Sequence, residues 1–326
     1  MRKLQLGVVS CGAIAQAHLR GIAACEKAEL VAVASRDVGR RDQAAAEFGA
    51  RRSYAEFEEI LGDEDVEAIV ICAPNFLHFP YAMAALQAGK HVLTEKPSAD
   101  SYEDGIQLVN EADRCGLRLM SSQNSRYLAA MSRARDIICS GSVGRPLHMM
   151  YTLTSFYDGA GSWWKECPRF LIANSGSHPL DFMPWLTDAN PTRVYATAHS
   201  NKPDFPGEDD FSVHLSLDNG AEAITYTTLS SGFTRRDMII VCEKGTLYFD
   251  GLRRLELDGD LLVEESPDPF VPQMREFVEA VLEDREPGNS GRDVLTSLAV
   301  IDAAYQSVEE GRSVDLVMEQ DQWVRR

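Results

Sequence analysis

The sequence predicts an α/β protein of two domains. A doubly wound parallel sheet occupies residues 1–122, and an α+β domain with a large, mostly antiparallel open sheet occupies residues 123–326. Three observations predict this. A chain of 326 residues is long for a single hydrophobic core. Its first third alternates short, continuous apolar runs with amphipathic stretches, the pattern of strands buried on both faces and joined by crossover helices. Beyond Asn124 the period changes to that of half-buried strands, separated by turns such as Asp218-Asn219-Gly220.

Taken in order, the buried strands fall at residues 4–9, 30–34, 68–73, 91–94 and 117–121. Helical periodicity occupies residues 13–25, 43–48, 80–88 and 102–115 between them. The second domain opens on a helix at 129–140, stopped by Gly141. Alternating runs follow at 148–156, 194–200, 211–217, 221–229 and 238–242, and helical patterns at 272–283 and 292–310 close the chain. One face of this second sheet is expected to carry helices, and the other to meet a further copy of the chain in a homodimer or homotetramer.

Composition narrows the function classes. The formal net charge of −18 disfavours nucleic acid and anionic membranes as partners. No apolar run reaches the ~18 residues that a membrane span requires. Met1-Arg2-Lys3 leads straight into the first strand with no small-residue cleavage site, so a cytoplasmic location is expected. The 7 cysteines are scattered and odd in number, which forms neither a disulfide framework nor a paired metal motif.

The first strand runs into Ser10-Cys11-Gly12-Ala13-Ile14-Ala15. A dinucleotide-binding turn needs glycine where the chain turns and where backbone meets pyrophosphate, then a small residue where helix packs on strand. Gly12 and Ala15 fill the last two positions, and Ser10 stands where the first glycine is usual. With a strand before it and a helix after it, this turn predicts a Rossmann site, with Gly12, Ala13 and Ile14 at the helix start facing the pyrophosphate. Ser35-Arg36-Asp37 ends the second strand. A carboxylate at that tip binds the ribose hydroxyls of NAD, whereas serine and arginine suit the 2′-phosphate of NADP. Ser35, Arg36 and Arg40 therefore point to NADP, with NAD as the alternative. Arg40 and Arg41 by themselves also fit a solvated helix start.

Ala73-Pro74-Asn75-Phe76-Leu77-His78 follows one strand and Thr94-Glu95-Lys96-Pro97 the next, at the carboxyl edge where open α/β sheets bind ligands. In these residues the chain resembles the Gfo/Idh/MocA oxidoreductase family, the group of glucose–fructose oxidoreductase and inositol dehydrogenase. Glu95-Lys96-Pro97 matches that family's most specific mark in full. The resemblance extends over nearly the whole chain, through Ser140-Gly141-x-x-Gly144-Arg145-Pro146 to Ser290-Gly291-Arg292-Asp293. The family's second signature, Asp-x-Gly-x-His-x-x-Asp, is met by Asn174-Ser175-Gly176-Ser177-His178-Pro179-Leu180-Asp181, with asparagine in place of the first aspartate.

The resemblance implies that Lys96 and His178 border the nicotinamide and the reacting carbinol. Pro74, Asn75, His78 and Glu95 are expected at the cofactor, and Asn174 beside the base. Such a pair suits the chemistry. Hydride leaves a carbinol carbon only as the hydroxyl proton departs, and histidine titrates near neutrality. A lysine ammonium polarises the oxygen and holds alkoxide-like charge. A lone histidine is more often structural and a lone lysine solvated; their two motifs together favour the catalytic reading. Asn174 orients but brings no charge. His178 and Asp181 lack a third ligand at suitable spacing, so no metal is expected.

Substrate contacts are expected from Arg126 and Asp181, and from Tyr157, Trp163 and Trp164 in a loop able to stack a sugar ring. A subunit contact is that loop's competing role. Cys11 and Cys167 read as packing residues. The function expected is NAD(P)-dependent hydride transfer at a carbinol or carbonyl of a sugar, polyol or related cyclic alcohol. One alternative is a glycosidase of the same fold that recycles tightly bound NAD. Another is a non-catalytic dinucleotide binder, against which the intact Lys96 and His178 argue.

Overall fold

The computed structural model describes residues 2–157, 167–202 and 206–326. Six strands form the first sheet: β1 (Leu4–Val9), β2 (Ala28–Ala34), β3 (Arg52–Tyr54), β4 (Ala68–Ile71), β5 (His91–Thr94) and β6 (Leu119–Ser121). All pairings are parallel and the order is β3-β2-β1-β4-β5-β6. Five helices intervene: α1 (Ala13–Ala23), α2 (Val38–Phe48), α3 (Phe57–Leu61), α4 (His78–Gln87) and α5 (Tyr102–Cys115). Central strands are covered on both faces, and every residue of β4 is buried, which is why they read as unbroken apolar runs. The chain reverses direction across the sheet between β1 and β4, and this opens a crevice at their carboxyl ends.

Two elements of this sheet lie outside the sequence reading. β3 is a three-residue edge strand paired only with β2, with Arg52 and Ser53 exposed, so it carries no apolar run. α3 is a five-residue helix started by a Glu56/Glu59 capping box. α2 also begins earlier than expected, because Asp37 caps it by accepting the Arg40 amide at 3.0 Å.

The second sheet has ten strands. They are β7 (Pro146–Phe156), β8 (Pro191–His199), β9 (Asp210–Leu217), β10 (Glu222–Thr228), β11 (Ser230–Cys242), β12 (Gly245–Asp250), β13 (Arg254–Leu257), β14 (Asp260–Val263), β15 (Val314–Glu319) and β16 (Gln322–Arg325). Their order is β14-β13-β12-β11-β7-β10-β9-β8-β15-β16, antiparallel except for β7 with β10. Helices α6 (Ala129–Cys139), α7 (Leu171–Asn174) and α8 (Ser177–Thr187) precede β8; α9 (Phe270–Leu282) and α10 (Leu295–Glu310) follow β14. α8 covers one face, its Phe182 ring meeting Tyr151 of β7 edge-on at 5.6 Å. Among the described residues the opposite face is uncovered. Cross-strand register aligns Tyr248, Ile239, Met150, Ile224, His214 and Tyr195 in one row across six strands, and Met150 is 54% exposed.

The chain divides into two compact units, Met1–Asn124 with Asp268–Leu295, and Ser125–Pro267 with Thr296–Arg326. The expected boundary at 122/123 thus misses a return of the chain: α9 belongs with the dinucleotide sheet. Gly21 of α1 allows this, since a Cβ there would sit 2.8 Å from the Phe270 carbonyl oxygen and 3.2 Å from Met274. Lys27 pairs with Glu279 at 3.1 Å, and Ser290 bridges to Met120 at the free edge of β6. An amphipathic helix announces an apolar face but not the surface that receives it.

Candidate active site

In the first unit the turn after β1 takes the shape a glycine-rich turn requires. Ser10 has φ of 70°, the left-handed region in which glycine is at ease and other residues are strained. Gly12 differs. Its φ of −74° is open to any residue, and a Cβ built on it meets nothing within 4 Å. The fold therefore does not need glycine at position 12, whereas a ligand brought against that backbone does. Ala13 and Ile14 follow as exposed first residues of α1, their amides opening the helix.

A cavity of about 570 Å³ lies over this turn, lined by Ser10, Gly12, Ser35, Arg36, Pro74 and Tyr81 among others. Ser35 Oγ accepts the Asp37 amide at 3.3 Å. Arg36 makes no hydrogen bond or ion pair with the described residues. Arg40 reaches the cavity too, and its Nε pairs with Asp37 at 3.3 Å. Arg41 turns back to the Ser35 carbonyl at 3.3 Å. The sequence reading missed one wall: Phe57 of α3 stacks on Tyr81 of α4 with centroids 4.0 Å apart, and Glu56 and Glu58 stand beside it. The capping-box spacing of Glu56 and Glu59 was the available signal for that helix. Burial pushes the Cys11 thiol up to about 11, so it stays protonated as a packing residue.

At the ends of β4 and β5 two expectations need correction. His78 is 1% exposed, and its Nδ1 and Nε2 lie 2.6 and 2.8 Å from the carbonyl oxygens of Pro97 and Ala73. The ring ties two strand-end turns together and has no nitrogen left for a cofactor. A neutral ring donates only one of those bonds. Burial depresses its proton affinity, against the two carbonyls, which favour the cation. Glu95 is also interior. Its Oε1 takes a 2.8 Å bond from His18 Nε2, and its Oε2 accepts the Lys96 amide at 3.2 Å. Burial raises its proton affinity, but His18, the Lys96 charge and the Ser122 hydroxyl outweigh that and hold the carboxyl below its ordinary value. Lys96 itself is half-buried, and Asn75 begins a 3₁₀ turn, Asn75–Leu77.

The second unit assembles the other motif. Asn174 ends α7 and His178 lies in the first turn of α8, both half-buried. Gly176 between them is sterically required: a Cβ would stand 2.4 Å from the Ile172 carbonyl oxygen and 3.0 Å from the Phe211 ring. The Ser125 hydroxyl approaches His178 Nδ1 at 3.4 Å. Ser177 Oγ donates to the Asn174 carbonyl at 2.6 Å. Arg126 and Asp181, expected at the substrate, form a buried two-pronged ion pair at 2.8 and 2.6 Å, with Trp185 facing the guanidinium at 5.5 Å. Their charges are spent mainly on each other, one helical turn from His178. Tyr157 is half-buried with its amide on the Leu229 carbonyl, and Trp163 and Trp164 lie outside the described residues. Among the described residues no group of three or more metal-ligating side chains gathers, and no helix is long and apolar enough to cross a membrane.

Strand order, the crevice turn and the free glycine backbone define a dinucleotide-binding Rossmann domain. Comparison with known proteins carries this to the family. Residues 4–123 match the oxidoreductase family with NAD-binding Rossmann fold, and residues 131–248 match the GFO/IDH/MocA C-terminal domain. The chain belongs to the Gfo/Idh/MocA oxidoreductase family. It is 25% identical to D-apiose dehydrogenase of Paraburkholderia graminis over 97% of this chain and 90% of that one. It is 27% identical to 4-carboxy-2-hydroxymuconate-6-semialdehyde dehydrogenase of a Sphingobium species, over 91% and 96%. Among solved structures, the WlbA dehydrogenase from Bordetella pertussis, in complex with NADH and UDP-GlcNAcA, superposes with a TM-score of 0.88 at 26% identity, over 98% and 99%.

Because nothing in the fold requires glycine at position 12, Gly12→Ala is expected to melt within a degree or two of the parent while binding NAD⁺ and NADP⁺ about tenfold or more weakly. Calorimetric titration beside a thermal melt checks it. Undiminished binding would remove the pyrophosphate from that turn.

Proposed function

We propose that this oxidoreductase moves hydride between a nicotinamide and a carbinol or carbonyl of a sugar, polyol or related cyclic alcohol. The observation that carries the cofactor half is Gly12, whose backbone is open for a reason the fold does not supply. The bound dinucleotide supplies the hydride acceptor or donor; the chain's own residues do the rest. Lys96 holds negative charge on the reacting oxygen. His178 takes up or returns the hydroxyl proton, with Ser125 on its Nδ1 orienting the ring. Asn174, four residues earlier, orients His178 or a substrate hydroxyl as a neutral amide and brings no charge to them. The sugar-like substrate is supported by the D-apiose dehydrogenase and the UDP-GlcNAcA complex among the relatives. The relatives described above are dehydrogenases, and the glycosidase alternative finds no support among them.

NADP is the preferred dinucleotide in this reading. The first carboxylate after β2, Asp37, is engaged in capping α2 and pairing with Arg40, while Arg36 stands unengaged at the cavity. The open row on the second sheet is assigned to a second copy of the chain, since Met150, Ile224 and Tyr195 are too apolar and too well aligned for a solvated face.

Three measurements test these assignments. A panel of aldoses, polyols and sugar acids, followed by nicotinamide absorbance with NADP⁺ and NAD⁺, is expected to find a substrate whose turnover falls about a hundredfold in Lys96→Ala with dinucleotide affinity nearly kept. Near-native turnover would refute the role of Lys96. Arg36→Ala is expected to weaken NADP⁺ by about tenfold and NAD⁺ by far less; equal losses would refute phosphate recognition. Ile224→Glu is expected to convert a sedimenting dimer or tetramer into a smaller species, and a wild-type chain that sediments as a monomer would end the assembly proposal.

A further inference from the structure

Four side chains from four elements meet in the interior of the first unit. His18 of α1 is 0% exposed, Glu95 after β5 is 5%, Ser122 after β6 is 0% and Gln273 of α9 is 0%. They form two hydrogen-bonded pairs side by side. His18 Nε2 lies 2.8 Å from Glu95 Oε1, and Gln273 Nε2 donates to Ser122 Oγ at 3.0 Å while the Ser122 hydroxyl lies 3.3 Å from Gln273 Oε1. The other Glu95 carboxylate oxygen accepts the backbone amide of Lys96 at 3.2 Å. A carboxylate removed from water in this way persists only if its oxygens are paired.

His18 is set up to serve that carboxylate alone. Its Nδ1 is buried with no hydrogen-bond partner, while its ring is held edge-on against Phe270 with centroids 4.9 Å apart. A histidine kept for packing would leave the apolar contact and avoid the orphaned nitrogen, as phenylalanine does. The unmet nitrogen is therefore the cost of placing an N–H donor on Glu95.

We propose that His18 is a positioning residue for Lys96: by donating to one oxygen of the buried Glu95 carboxylate, it fixes the other, which holds the Lys96 amide. The proposal rests on the reading of Lys96 as the cation at the reacting oxygen. It also links cofactor and catalytic lysine physically. α1, whose amino end opens at Gly12, carries His18 less than two turns further along. Other charges and titratable groups that feel Glu95 are Lys96 itself, His78 of α4 and Cys72 after β4; Ser122 and Gln273 are neutral.

The test needs neither turnover nor a sugar. The full chain is labelled with ¹⁵N-lysine, and the Lys96 amide resonance is assigned by its loss in Lys96→Arg. That amide reports the state of the carboxylate it bonds. In the wild-type protein the resonance is expected to hold still as pH falls from 8 to 5. In His18→Phe, which keeps the ring and its contact with Phe270, it is expected to titrate at least about one pH unit higher and to exchange with deuterium about tenfold faster. His18→Gln, which keeps an N–H donor, is expected to restore most of both. A resonance in His18→Phe with the wild-type titration and exchange rate overturns the proposal, whatever happens to the melting temperature. If His18→Phe does not fold, His18→Asn decides: its amide is too short to reach Glu95 in place of Nε2, so the Lys96 resonance must titrate higher and exchange faster, and wild-type titration and exchange overturn the proposal. The Lys96→Ala assay above tests the catalytic reading separately, so either can fail without the other.

Discussion

A carboxylate in a protein interior costs several kcal/mol unless each oxygen finds a donor, and Glu95 meets that cost with the His18 ring of α1 on one oxygen and the Lys96 amide on the other. The first unit is organised around that requirement. α1 must lie close enough to the end of β5 for His18 to reach, α9 must pack on α1 for Gln273 to support Ser122, and Gly21 must be glycine for α9 to approach. The residue held by the arrangement is Lys96, the next in the chain. A polar cluster of this kind specifies one geometry where an apolar one would tolerate several.

His78 does comparable work from the other side. Its two ring nitrogens stand against the Ala73 and Pro97 carbonyls, after β4 and after Lys96, so the ring packs between both turns at the crevice without entering it. Motif residues of a family need not touch ligand to be indispensable to a site. Here two of the expected cofactor residues, His78 and Glu95, turn inward, and Arg126 pairs with Asp181, one turn further along the helix that carries His178. What faces outward into the crevice includes a strained serine, an open glycine and an arginine with no hydrogen bond or ion pair among the described residues.

The second unit shows the opposite economy. The central strands of its sheet alternate over much of their length, one face under α6 and α8, the other carrying a row of exposed apolar side chains. The alternation that revealed the strands in the sequence is the same property that leaves the outer face exposed, because a strand with period two always presents its second face somewhere.

The sequence by itself determined the dinucleotide sheet, the crevice turn and the two motifs around Lys96 and His178. Continuous apolar runs, glycine at a strand end and short fixed spacings are local signals, readable over a few residues. Two small elements, β3 and α3, escaped because three exposed edge residues and five helical ones carry too little periodicity, and with them went the Phe57–Tyr81 wall. Only the tertiary structure decided where α9 belongs, which way His78 and Glu95 face, and that Arg126 and Asp181 find each other. These are choices among partners 60 or more positions away for Glu95 and His18, and about 150 for Ser122 and Gln273. A residue's type limits which bonds it makes, but which of several distant groups receives it is settled by packing, where an unmet buried charge eliminates the alternatives.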